Sequence, residues 1–179
     1  TAQELFGLRK NLPTVMIIGG GTGATRLNEI MTIIGADLIK KANVLHITGR
    51  GKMLSSLELI GNNYVAREFI GDGIADMLAV ADLIVCRAGM GTIAELVALG
   101  KPAILLPLEG HQEVNAKALE IRGAVEVLHH VTPQTLLQSI VKLLDDVNYR
   151  HELATKIRTA FPTNADERIV HEAMKLLRD

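Results

Sequence analysis

Three loops carry most of the side chains able to do chemistry. The first, Gly19-Gly20-Gly21-Thr22-Gly23, follows an apolar run and opens a helix-length stretch. Glycine lets the backbone approach a ligand closely, and a helix start offers unpaired N–H groups to a phosphate. The same residues would also serve as a tight strand-to-helix turn. In the second loop, Arg87-Ala88-Gly89-Met90-Gly91-Thr92, a carboxylate follows three residues later at Glu95. A carboxylate there can accept two hydrogen bonds from the vicinal hydroxyls of a ribose, while neighbouring N–H groups face a diphosphate. Thr92-x-x-Glu95 equally satisfies a capping box, in which both side chains serve the helix start. Arg87 could assist a leaving diphosphate or be structural. The third loop runs into His111, Gln112 and Asn115, whose uncharged donors and acceptors suit the hydroxyls of a sugar; a solvated His and a capping Asn are the plain alternative.

Other chemistries find less support. Gly19, Gly21 and Ala24 fit the Gly-x-Gly-x-x-Ala form of the dinucleotide fingerprint, but the acidic residue expected after the second strand is replaced by Ile47-Thr48-Gly49-Arg50. Arg50 would instead suit the 2′-phosphate of NADP. The sequence holds no Asp-x-Asp pair, no Walker-A lysine and no Gly-x-Ser-x-Gly elbow. His129-His130 and the remaining histidines lack metal-ligand spacing. The reading therefore includes no cofactor and no metal.

These loops need a frame. Short β-branched or Leu-rich runs alternate with amphipathic stretches of helical length, the pattern of a parallel sheet built from βαβ units. Strands are expected at 15–18, 44–48, 64–70, 83–86, 103–106 and 125–128. Helices are expected at 24–42, with an interruption at Gly35, and at 53–60, 74–80, 92–99, 113–122, 133–145, 149–160 and 165–177. Thr132-Pro133 and Thr163-Asn164 read as helix starts. Several strands are apolar throughout, as when helices cover both faces. The fold class is α/β, a doubly wound, Rossmann-like parallel sheet of about six strands. With no repeat and no linker, residues 1–179 form one domain, and the loops after strands one, four and five fall where such sheets bind ligands.

Composition agrees with a globular chain. The 179 residues are 48% hydrophobic and 22% charged, and 19 basic residues face 20 acidic ones. Without a basic excess or a like-charge run, nothing favours nucleic acid or a polybasic membrane anchor. Asp76, Asp82 and Arg87 interrupt the most apolar region, so no stretch reads as a membrane span, and direct membrane insertion is not expected. A single cysteine, Cys86, reads as a buried thiol of a cytoplasmic protein. No signal peptide is visible, and a start at Thr1 suggests a piece of something longer.

Taken in order, Gly19-Gly20-Gly21-Thr22-Gly23-Ala24, Glu68-Phe69-Ile70, Cys86 to Glu95, His111 to Ala116 and Asn164 to Arg168 resemble the carboxyl-terminal half of the MurG family. These are GT-B glycosyltransferases that move N-acetylglucosamine from UDP-GlcNAc to lipid I in peptidoglycan synthesis. The resemblance covers almost the whole chain and implies a donor-binding domain, one half of an inverting, metal-independent enzyme. It implies that Glu95 holds the ribose and that the main chain of Ile70 meets the uracil. Gly20, Gly21, Thr22, Gly23 and Gly89-Met90-Gly91-Thr92 would surround the diphosphate, with His111, Gln112 and Asn115 near the sugar. The general base and lipid I binding would come from an amino-terminal acceptor domain, in cis or in trans. The full-length protein would be peripheral on the inner face of the membrane, and this chain alone would bind UDP-GlcNAc without turnover. Another UDP-sugar GT-B enzyme, such as a diacylglycerol glycosyltransferase, and a non-catalytic nucleotide-sugar module are the alternatives. Gly21-Thr22 departs from the Ser common in the first loop, and His111 stands where some members carry Gln.

Overall fold

A computed structural model describes residues 4, 6–19, 25–71, 73–162 and 164–177. The chain runs β1 (Thr14–Ile18), α1 (Thr25–Leu38), β2 (Asn43–Ile47), α2 (Ser55–Glu58), β3 (Tyr64–Arg67), α3 (Ile74–Val80) and β4 (Leu83–Cys86). It continues through α4 (Met90–Leu99), β5 (Ala103–Leu105), α5 (His111–Glu120), β6 (Glu126–Val127), α6 (Pro133–Asp145), α7 (Val147–Arg158) and α8 (Ala165–Leu176).

The six strands form one sheet in the order β3-β2-β1-β4-β5-β6, and every pairing is parallel. Side chains alternate between two cores because successive strand residues point to opposite faces. Val15, Ile17, Val44, Leu83, Val85 and Ile104 pack on one side against α1, α6 and Leu153 of α7. Met16, Leu45, Ile84 and Leu105 face α3, α4 and α5 on the other, joined by Ile157 of α7. Both faces are thus covered, which is why several of the strands are apolar throughout. The sheet order reverses between β1 and β4, whose ends lie side by side through the pairing of Ile18 with Cys86. Cys86 is buried. Burial, and secondarily the charge of Glu95, push its thiol up to about 12.

Three expectations are corrected. The third strand ends at Arg67 rather than residue 70, freeing Glu68, Phe69 and Ile70 to form a loop. Helix α1 runs through Gly35 without interruption. The glycine is there for close packing: a Cβ would stand 2.5 Å from Ile60 Cδ1 and 3.2 Å from the Tyr64 ring. Helices α4 and α5 each begin two residues earlier than expected, at Met90 and His111. The starts at Thr132-Pro133 and Asn164 fall as expected, and the Thr132 hydroxyl accepts from the Thr135 N–H at 3.1 Å. Thr163 lies outside the described residues.

Candidate functional site

The early start of α4 removes one of the two roles left open for Glu95. Gly89 is the N-cap, so Thr92 is the third helical residue and Glu95 sits a turn further on. A Thr92–Glu95 capping box is geometrically excluded, and no side chain caps the helix. The N–H groups of the first turn remain available to a ligand. Among the described residues the Glu95 carboxylate makes no hydrogen bond or ion pair, and it faces a cavity of about 330 Å³ at the carboxyl ends of β1, β2 and β3. Gly91 and Thr92 line the same cavity, as do Ile18, Ile47 and Ile70. Four predicted residues, Ile70, Gly91, Thr92 and Glu95, therefore converge. Ile70 reaches the cavity because β3 has already ended.

On the opposite rim Arg50, considered above for an NADP phosphate, has an aromatic partner that the sequence did not suggest. Arg50 lies over the Phe69 ring, its Cζ 4.1 Å from the centroid, and both line the cavity with Glu68. The Glu68 carboxylate accepts from the Met53 N–H at 3.3 Å, joining the loops after β2 and β3. Behind them lies a buried polar chain that the sequence reading passed over. His46 Nε2 is 3.1 Å from Asn28 Oδ1, and His46 Nδ1 is 2.7 Å from the Tyr64 hydroxyl. The Asn28 amide donates to the carbonyls of Thr48 and Lys52 at 3.0 Å each. Its oxygen must then accept, which fixes His46 as the Nε2–H tautomer and makes Nδ1 the acceptor of the Tyr64 proton. Burial lowers the His46 pKa from 6.5 to about 4, so the ring is neutral. The chain anchors the loop carrying Arg50 to α1. Its one sequence signal was a histidine inside an otherwise apolar strand, Val44-Leu45-His46-Ile47.

Two members of the third predicted group have structural partners of their own. His111 is exposed at the first position of α5. Gln112 accepts from the Leu108 N–H through its side-chain oxygen at 3.2 Å, bracing its own loop. The Asn115 amide donates to the Ala88 carbonyl at 3.0 Å and so ties α5 to the loop holding Gly89. Met90, the first residue of α4, is exposed. Arg87 does not join the Glu95 cavity: it turns to the other side of the β4–α4 loop, donating from Nη1 to the Leu106 carbonyl at 2.8 Å. Gly20, Gly21, Thr22 and Gly23 lie outside the described residues. Among the described residues, no three metal-binding side chains gather at one point, and no helix is long and apolar enough to cross a membrane.

Sheet order and cleft define the class: a doubly wound α/β domain with a ligand cavity beside its topological switch point. Residues 14–169 match the glycosyltransferase family 28 C-terminal domain, and the chain belongs to that family. It is similar to the UDP-N-acetylglucosamine--N-acetylmuramyl-(pentapeptide) pyrophosphoryl-undecaprenol N-acetylglucosamine transferase of Acetivibrio thermocellus, with 37% identity covering 94% of this chain and 49% of that protein. The enzyme of the same name from Lachnospira eligens is 31% identical, over 98% of this chain and 49% of its own. Among solved structures, MurG of Acinetobacter baumannii superposes with a TM-score of 0.78 and 28% identity, covering 97% of this chain and 52% of that one. The chain thus spans about half the length of the curated relatives it matches.

Proposed function

We propose that this domain is the donor-binding half of an inverting glycosyltransferase that moves N-acetylglucosamine from UDP-GlcNAc to lipid I. The observation that carries the reading is the unspent Glu95 carboxylate, relieved of any capping duty and facing a cavity beside an uncapped helix start. The names of the full-length relatives support the choice of sugar and acceptor.

In this reading the nucleoside occupies the 330 Å³ cavity. Glu95 accepts from both ribose hydroxyls, and the Ile70 main chain pairs with the edge of the uracil. The diphosphate lies across the first turn of α4 and the loop of Gly20, Gly21, Thr22 and Gly23, so that N–H groups rather than a metal stabilise the departing UDP. His111, Gln112 and Asn115 border the sugar, with Gln112 and Asn115 holding the two loops in place around it. The acceptor, and the base that takes its proton, belong to an amino-terminal domain supplied in cis or in trans, which makes residues 1–179 a single functional unit of a larger protein acting at the inner membrane face.

A dinucleotide reading retains one observation, the placement of Arg50 on the cavity rim. Calorimetric titration of UDP-GlcNAc, UDP and NADP in the presence of chelator separates the two. UDP and UDP-GlcNAc are expected to bind with similar affinity and NADP more weakly. Tighter binding of NADP, or a strict metal requirement, overturns the proposal.

A further inference from the structure

Beyond β4, on the far side of the β4–α4 loop from Glu95, a second and larger cavity of about 900 Å³ opens at the ends of β5 and β6. Two guanidiniums from distant parts of the chain face it: Arg26 in the first turn of α1 and Arg87 after β4. Each spends one N–H on a main-chain carbonyl, Arg87 on Leu106 at 2.8 Å and Arg26 on Val131 at 3.2 Å. That anchors both forks and leaves further donors for a ligand. Among the described residues neither arginine has a carboxylate partner. The acids on the same rim do not answer them, since Glu113 accepts from its own helix start at Gly110 (3.2 Å) and Glu109 is exposed in its loop. Partial burial, and then the neighbouring charge of Arg26, hold the Arg87 guanidinium below the usual arginine range.

Two unpaired like charges converging on one concavity repel each other, and a multidentate anion between them relieves that cost. A phosphoryl group fits better than a single-point partner, because its several oxygens can engage two planar forks at once. The walls beside the arginines are apolar, formed by Leu106, Pro107, Leu128 and Val131. From this geometry we infer that the cavity is a second binding compartment, which takes the phosphoryl group of an organophosphate other than the nucleotide. Among the described residues the two cavities share no lining residue, so each can be tested without the other.

The test is a calorimetric titration of phenyl phosphate into the chain saturated with UDP, at constant ionic strength. Binding is expected to persist under saturating UDP, and Arg26→Gln, an exposed substitution, is expected to weaken it by roughly tenfold or more, as for loss of a hydrogen bond to a charged group. Arg87→Lys keeps the charge but not the fork and should weaken it comparably. Glu95→Ala should abolish or weaken UDP binding while leaving phenyl phosphate unchanged, so failure at one cavity is distinguishable from failure at the other. No binding to the parent chain, one-for-one displacement by UDP, or unchanged affinity in both arginine variants would each overturn the proposal.

Discussion

Glu95 and His46 show what single side chains contribute and how readily a sequence displays it. For Glu95, spacing alone left a ribose ligand and a capping box on equal footing, and the two differ by where the helix begins. Gly89 as N-cap removes the second role. Glu95→Ala is therefore expected to weaken UDP binding by about 1.5–3 kcal/mol, the range for hydrogen bonds to a charged group, while changing folding stability by less than about 0.5 kcal/mol. Paired calorimetry and denaturant melts would check both numbers. His46 was illegible as anything but a lone polar residue, because its partners Asn28 and Tyr64 each lie 18 residues away in the chain. Its buried neutral ring has a consequence for pH. With a folded pKa near 4 against 6.5 unfolded, the unfolded chain binds the extra proton between those values. Stability is thus complete above pH 6.5 and falls as pH drops toward 4, by roughly 3 kcal/mol in total at about 1.4 kcal/mol per unit. Urea melts across that window should show this loss in the parent and not in His46→Gln.

Among the elements, hydrophobic patterning located all six strands and all eight helices of the described residues, though not their bounds, since apolar runs and 3.6-residue periodicity are local properties. What it misplaced depended on neighbours. Gly35 reads as a helix breaker in isolation, yet α1 continues through it because Ile60 and Tyr64 press against that face. Gly35→Val is accordingly expected to cost roughly 1–3 kcal/mol by overpacking. The loss should shrink when Ile60→Ala is added, a coupling that a double-mutant cycle in denaturant would measure. A cost explained by helix propensity alone would not respond to Ile60. The overlong third strand has a similar origin: Glu68-Phe69-Ile70 is apolar enough to extend β3, but the strand register ends at Arg67 opposite Ile47, and beyond it the Gly49 N–H bonds the Glu68 carbonyl at 3.0 Å before the chain turns away. Arg26 had a weak signal of its own, a basic residue in the first turn of a helix, where the dipole disfavours it.

For the molecule as a whole, the proposed reaction has to be set against a chain that spans about half the length of its relatives. Glycosyl transfer needs donor and acceptor held in near-attack geometry, with a base on the acceptor side. Within the chain, His111 is the base candidate nearest the proposed sugar site, and its place at a helix start suits hydroxyl recognition better. The isolated chain is expected to bind UDP-GlcNAc without transferring sugar to a soluble lipid I analogue, and an amino-terminal half of a MurG enzyme, added or fused, is expected to restore transfer. Robust turnover by the chain alone, lost in His111→Ala, would reverse that division. The fold and the Glu95 side of the cavity were readable in advance because they rest on local patterns and ordered motifs. The Arg50–Phe69 rim and the Arg26–Arg87 convergence were not, because side chains far apart in sequence meet there. The buried Cys86 opens an experimental route to all of this. A thiol held near 12 and shut inside the sheet is almost entirely protonated at neutral pH and out of reach of alkylating reagents. The domain is therefore already blank to maleimide chemistry, so Phe69→Cys would create a single labelling position on the lip of the cavity that Glu95 lines, where a fluorophore reports occupancy without any other residue having to be silenced first.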